Sequence, residues 1–406
     1  MDLSTGSAVW WQNILRQGVP SVTPIDSEHC RVVFYWRDPA GDGAHSPVKR
    51  VWVCITGVTD HHSRRGPQTM QRVADSDIWC WETTLSSRWR GSYCFIPSER
   101  EDDFPPQAFG PQPESMALRE GWSRLFPAAI ADPLNPDSWR GGRGHPASAL
   151  QLPDAPPQPG WDAPNTPHQK ARCIEWRSKR LGNTRRVWLF TTGDDAPHQR
   201  PLAIMLDGQF WAESMPVWPA LQKQTNEGAL PQALYVLIDI IDLPHRSREL
   251  PCNPAFWQAV REELLPLVRN HQRWAETPET TVVAGQSFGG LSALYAALFW
   301  PQTFGCVLSQ SGSFWWPTRR PDGGPGWLIN QLSSGQVSAA GLKIYLEAGR
   351  KEPVILQAHQ RLVPLLQSGI GAVNYHLVDG GHDALCWRGG LITGLMALWS
   401  PARQKP

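Results

Sequence analysis

Between about Cys30 and Pro97 the apolar positions fall in short runs: "RVVFYWR", "KRVWVCITG", "DIWCWETTL" and "RGSYCFIP". Each is of strand length, rich in β-branched and aromatic residues, and broken by turn residues. None has helical period, so residues 1–150 are expected to form a small all-β sandwich domain. The stretch "QLPDAPPQPGWDAPNTPH" (151–168) then concentrates six prolines without periodicity, and residues 151–170 read as a proline-rich linker. From 171 to 406 strand-length apolar runs alternate with helical patterns. The runs are "RRVWLFTTG" (185–193), "LAIMLDG" (202–208), "ALYVLIDI" (233–240), "TTVVAG" (280–285), "GCVLSQ" (305–310), "LKIYLEAG" (342–349) and "VNYHLVDGG" (373–381). Helices are expected at about 254–270, 288–300, 354–367 and 389–399. Such alternation predicts an α/β domain: a mostly parallel sheet with helices on both faces, its chemistry gathered at the carboxyl ends of the strands.

Composition narrows the function classes. A net charge of +1 with no basic stripe excludes an electrostatic case for nucleic acid. No run approaches the roughly 18 apolar residues of a membrane span, and Met1 to Gly18 lacks an apolar signal core. A soluble, cytoplasmic protein without a membrane partner is therefore expected. The eight cysteines (30, 54, 80, 94, 173, 252, 306, 386) are dispersed, with no CxxC or Cys/His cluster at metal-ligand spacing, which favours buried free thiols. The 22 tryptophans exceed what a core of this size needs and suggest aromatic faces on a binding surface.

One turn carries chemistry. "VVAGQSFGGLSALY" (282–295) passes from a buried strand into a helix with Ser287 between them, and Gly285-Gln286-Ser287-Phe288-Gly289 matches the GxSxG nucleophile elbow. Glycines two before and two after the serine remove side chains that would collide, and the Phe288 N–H can bind an oxyanion at a helix N-terminus. A glycine-rich turn with no chemistry is the competing account of the motif alone.

A serine needs a base and an acid, which in this fold follow it in the order acid, then histidine. His376 lies inside the strand run "VNYHLV", whereas His382 lies in the glycine-rich loop "DGGHDALCW" and is the expected base. For the acid, Glu352 in the loop after "LKIYLEAG" is preferred to Glu347 and Asp379. Glu352 also suits a helix cap. The second oxyanion donor is expected from Gly208 or Gln209 in "IMLDGQFW".

Beyond these motifs, the chain closely resembles the enterochelin (enterobactin) esterases, ferric-siderophore hydrolases of bacteria. The resemblance rests on "FYWRDP", "VWVCITGVTDHH", "WRGSYCFIP", "LREGW", "IADPLNP", "VWLFTTGD", "SMPVWP", "YVLIDIID", "RELPCNPAFW", "EELLPLV", "VVAGQSFGGLSALYA", "FGCVLSQSGSFWWP", "LEAG" and "VDGGHDALCWRGGL". It implies an α/β-hydrolase domain behind the β domain, with Ser287, His382 and Glu352 catalytic. The implied reaction is hydrolysis of the trilactone of enterobactin, with or without iron, to 2,3-dihydroxybenzoylserine in the cytoplasm. No resident metal or cofactor is implied, since iron arrives with the substrate.

A ferric tris-catecholate is anionic and aromatic and favours arginines beside tryptophan faces. Arg246, Arg248, Arg350, Trp211, Trp315, Trp316 and Trp387 are the expected contacts, with Trp36 or Trp89 offered by the β domain. An esterase for another catecholate or glucosylated siderophore, a thioesterase or acyltransferase on the same fold, and a siderophore-binding protein with a vestigial elbow are the alternatives.

Overall fold

Strand β2 (Arg50–Ile55) of a computed structural model of the chain shows how the N-terminal half buries its residues. Val51, Val53 and Ile55 alternate toward one face and join Phe34, Trp79, Tyr93 and Phe95 in the core between two antiparallel sheets. Trp52 and Cys54 point the other way, yet they too are buried, against Phe104, Leu118 and Trp122. The second face is covered because a helix, Ser115–Leu125, packs on it. The structure describes residues 5–140, 144–163, 171–318, 324–368 and 372–400. Residues 164–170 of the proline-rich segment lie outside the described residues.

Two compact units make up the chain. Residues 1–156 group with two short returns, 349–353 and 378–386; residues 157–348, 354–377 and 387–406 form the other unit. In the first unit, β1 (His29–Arg37) pairs with β3 (Ile78–Ser86), and β2 pairs with β4 (Arg90–Ser98), which pairs in turn with β5 (Pro146–Gln151). All these pairings are antiparallel, as the alternation predicts, and the helix on the outer sheet face is an addition to the all-β expectation.

The second unit is built on an eight-stranded sheet. In chain order its strands are β6 (Arg172–Ser178), β7 (Asn183–Thr191), β8 (Leu202–Met205), β9 (Leu234–Ile238), β10 (Thr281–Gln286), β11 (Cys306–Gln310), β12 (Lys343–Gly349) and β13 (Ala372–Val378). They lie in the order β6-β7-β9-β8-β10-β11-β12-β13. From β9 through β12 the neighbours are parallel, while β7 runs against both of its partners. Strands β8 to β11 are buried at every position, which is why they read as continuous apolar runs.

The expected helix at 288–300 is Phe288–Phe299, and that at 354–367 is Pro353–Ser368. The stretch 254–270 is helical with a π turn at Val260–Leu264. The last helix starts at Ala384 rather than 389. Within it Gly390 sits where a Cβ would lie 1.9 Å from the Glu347 carboxylate, so it serves close approach.

Many tryptophans are core residues. Trp52, Trp89, Trp122, Trp176, Trp211 and Trp257 are under 2 % exposed, so the aromatic richness goes largely into packing and not into an exposed face. Replacing one of them, Trp122→Ala, leaves a cavity under the helix and is expected to lower stability by about 3–5 kcal/mol. Urea unfolding of the full chain, followed by far-UV circular dichroism, should show the corresponding drop in midpoint.

Candidate active site

Strand β10 delivers Ser287 into a backbone conformation that non-glycine residues rarely adopt, φ 59° and ψ −119°. The sequence forces the turn. A Cβ on Gly285 would lie 2.4 Å from the backbone of Gly289, so strand and helix touch there without side chains between them. The Ser287 N–H donates to the Gln310 carbonyl (3.0 Å), and its own carbonyl accepts from Leu291 and Ser313. Ser287 stands at the helix N-cap, but its hydroxyl caps nothing. It lies 3.3 Å from the Ser313 hydroxyl. The Phe288 N–H follows at the helix start, and the half-buried Trp315 packs its ring against the Phe288 ring, with centroids 5.9 Å apart.

A second loop runs from β8 through Asp207, Gly208 and Gln209 into a helical turn, Phe210–Ser214. Asp207 also has positive φ, 52°. A Cβ on Gly208 would meet the Leu237–Ile238 backbone at 2.5 Å. As the first residues of a helical turn, Gly208 and Gln209 have N–H groups with no partner inside that turn. Arg246 holds this loop. Its Nε donates to Asp207 Oδ1 (2.6 Å), and its Nη2 donates to Asp207 Oδ2 (2.9 Å) and to the Gln286 carbonyl (3.2 Å), the last before Ser287. It rides on the short helix Leu243–Glu249, which starts at Asp242 through a cap to the His245 N–H. The guanidinium expected to meet substrate is therefore committed to the backbone around the serine.

Trp211 is likewise not a surface contact. It is 1 % exposed, and its indole N–H donates to Gln286 Oε1 (3.0 Å). Gln286 continues a buried polar row across the strand ends: its Nε2 donates to Gln310 Oε1 (2.9 Å), and Gln310 Nε2 donates to Glu347 Oε1 and to the Trp387 carbonyl, both at 2.8 Å. The Trp387 indole donates to Ser311 Oγ (2.9 Å). Trp36 and Trp89, at 4 % and 0 % exposure, are core residues of the β unit. Arg248 and Arg350 are exposed, and Trp316 and Trp387 are half-buried. Arg350 pairs with Asp379 at 3.4 Å.

Geometry separates the three candidate carboxylates. Glu347 is spent on Gln310, and Asp379 on Arg350 and Arg88. Glu352, 1 % exposed, accepts the His382 Nδ1–H at Oε1 (2.6 Å) and the Gly349 N–H at Oε2 (2.6 Å). A carboxylate on Nδ1 selects the tautomer that leaves the Nε2 lone pair available as a base. The adjacent Asp383 accepts from the Ser92 N–H (2.6 Å), the Ser92 hydroxyl (2.7 Å) and the Leu385 N–H (2.9 Å). Burial pushes its carboxyl above the usual range, against the pull of those donors. Sequence reasoning gave no role to Asp207 or Asp383, although both lie inside quoted stretches, because their side-chain partners Arg246 and Ser92 lie far along the chain.

Arg246→Met should leave the Asp207 carboxylate without its partner. With both groups 16 % exposed, the expected loss is about 2–3 kcal/mol of stability. Thermal unfolding reads that loss. Hydrolysis of a nitrophenyl ester should show kcat falling more than KM rises.

The comparisons with known proteins agree with this architecture. Residues 31–161 match the family described as "Enterochelin esterase, N-terminal", and residues 178–398 match the family named "Esterase". The iron(III) enterobactin esterase of Escherichia coli O6:H1 (strain CFT073) is 57% identical over 401 residues, 98% of this chain and 98% of that protein. The crystal structure of ferric enterobactin esterase from Salmonella typhimurium superposes with TM-score 0.93 at 58% identity, covering 97% of this chain and 99% of that one. That of the Shigella flexneri enterobactin esterase in the presence of enterobactin gives TM-score 0.86 at 55% identity, covering 98% and 100%. With likeness of this extent through both units, the chain belongs to the enterochelin esterase family.

Proposed function

We propose that this protein is a serine esterase that opens and dismantles the trilactone of enterobactin, iron-loaded or free, to 2,3-dihydroxybenzoylserine. The observation that carries the reading is the Glu352–His382 hydrogen bond, 2.6 Å long with the carboxylate buried. Burying a charge is costly. Here the cost is offset by two charge-assisted donors, one of them an imidazole whose remaining nitrogen is a base.

In the proposed mechanism Ser287 Oγ attacks a lactone carbonyl while His382 Nε2 takes its proton. Glu352 stabilises the imidazolium, and the Phe288 N–H with that of Gly208 or Gln209 receives the oxyanion. Collapse of the tetrahedral intermediate breaks the acyl–oxygen bond. The departing serine alkoxide takes the proton from His382, leaving an opened chain esterified to Ser287. Water, deprotonated by His382, then releases the acid and restores the serine. Repetition on the linear products cuts the remaining esters.

The catecholates are met by the exposed Arg248 and Arg350 and by Trp315, Trp316 and Trp387, which are half-buried. Cutting the ring removes the preorganisation of the iron cage, so its hold on Fe(III) weakens. The eight cysteines are free thiols, which suits action in the reducing cytoplasm. Among the described residues no helix is long and apolar enough to cross a membrane.

Mass spectrometry of ferric and iron-free enterobactin incubated with the protein should reveal linear trimer, dimer and monomer. Ser287→Ala should reduce product formation by about five orders of magnitude or more, and Glu352→Gln by about ten-thousand-fold. Tight binding of the complex with the trilactone left whole would overturn the reading.

A further inference from the structure

Three stretches of backbone converge beside His382, all within the first unit. A Cβ on Gly57 would lie 2.7 Å from Lys351 Cβ and 2.9 Å from Gly381 Cα, and one on Gly381 would lie 2.9 Å from Gly57 Cα and the Thr56 carbonyl. The loop that carries Glu352 is bonded to the loop that carries His382 through Lys351 N–H to the Gly380 carbonyl (3.0 Å). The third stretch is the turn after β2, "TGVTDHH" (56–62). Asp60 Oδ1 accepts the Gly57 and His62 N–H groups, both at 3.1 Å, which closes that turn. Asp60 Oδ2 then accepts the His62 Nδ1–H at 2.9 Å. The His62 ring lies stacked on the His382 ring, with centroids 4.9 Å apart and planes 29° apart. The two side chains are 12 % and 16 % exposed.

The order of these contacts has a direction. Strand β2 fixes the turn, the turn fixes Asp60, Asp60 fixes the orientation of His62, and His62 covers one face of His382. A histidine ring rotates softly about its last torsion. The hydrogen bond from Nδ1 to Glu352 pins one atom of the His382 ring and leaves the plane free to swing about that point. A second imidazole against the face removes the swing. The same face also favours the imidazolium formed during reaction, since an aromatic ring attracts a cation placed over it.

Asp60, His61 and His62 also have ligand atoms within 4.8 Å of one another. The Asp60 oxygens, however, already accept three N–H groups, and the His61 and His62 rings lie 4.0 Å apart and tilted by 37°, closer to stacked than to converging on an ion.

We propose that His62, oriented by Asp60, is a positioning residue that fixes the ring plane of His382. The β unit thereby takes part in catalysis through the base. This rests on the reading of His382 as the general base.

The test uses the full chain with enterobactin as substrate. His62→Ala is expected to lower kcat roughly 10- to 100-fold, the scale of a misplaced catalytic group, with KM within about twofold of the parent. His62→Phe keeps a ring on the His382 face and should recover most of kcat. In ¹⁵N-histidine-labelled protein, the low-field His382 Nδ1–H resonance should be sharp in the parent and in His62→Phe, and broadened in His62→Ala. Unchanged kcat in His62→Ala overturns the proposal. So does a rise in KM alone, which would make His62 a substrate contact, or a His62→Phe variant as impaired as His62→Ala at unchanged melting temperature. Should the alanine variant not fold, His62→Gln, polar but without a ring, replaces it. His382→Ala serves as the separate control: if it kept full activity, the assignment of the base would fail whatever His62 does.

Discussion

Glu352 accepts two short hydrogen bonds in a place that water does not reach, and much of the fold near it can be understood as the means of keeping both. One donor is the Gly349 N–H at the end of β12, the other the His382 ring. A buried carboxylate that lost either would keep the desolvation cost with only part of the return. The loops around it are therefore tied down at several points: Lys351 to Gly380, Arg350 to Val378, and Asp383 to Ser92. Glycines 57, 349, 380 and 381 let these backbones approach to distances at which a Cβ would collide.

A different carboxylate does structural work. Glu347 lies two residues before the end of β12, at the register position facing Gln310, which itself faces Gln286 on the next strand. Their amides and the Trp211 indole form one hydrogen-bonded row across the strand ends. In a parallel sheet buried on both faces, such a row is satisfied internally or not at all. It fixes the residue just before Ser287, and it accounts for Glu347 without any catalytic part.

How much of this could be read beforehand followed from how local each cause is. The elbow was legible because strand, glycines and helix all lie within one short stretch, and the parallel sheet because its buried strands are continuous apolar runs. The preference for His382 over His376 rested only on the difference between a strand and a loop. Trp211 was misjudged because its direction depends on the π turn Phe210–Ser214, which no periodicity announces. Arg246 was misjudged because its partner, Asp207, lies 39 positions earlier. His62 lies in a stretch that carries the family resemblance, but nothing in it placed the ring beside His382, since that neighbour is 320 positions away and ring stacking leaves no spacing in a sequence.

The fate of Arg246 bears on how the substrate charge is met. Ser287 and Asp207 both hold positive φ, a strain of about 1–3 kcal/mol apiece that persists only where the surroundings over-determine it. For Ser287 the surroundings are the Gly285–Gly289 contact and the bond to the Gln310 carbonyl. For Asp207 they are the bidentate grip of Arg246, which reaches on to the carbonyl before the serine. A guanidinium with these three bonds has little capacity left for a ligand. On the proposed function, an anionic catecholate complex then draws its counter-charge from arginines not so engaged. Arg248, on the exposed face of the same short helix, meets that condition, and Arg350 meets it in part, because its side chain is exposed while its partner Asp379 is half-buried. In the proposed site, the positive charge that holds the Asp207 loop and the positive charge left for the substrate are thus carried by different residues, and substitution of one set leaves the other in place.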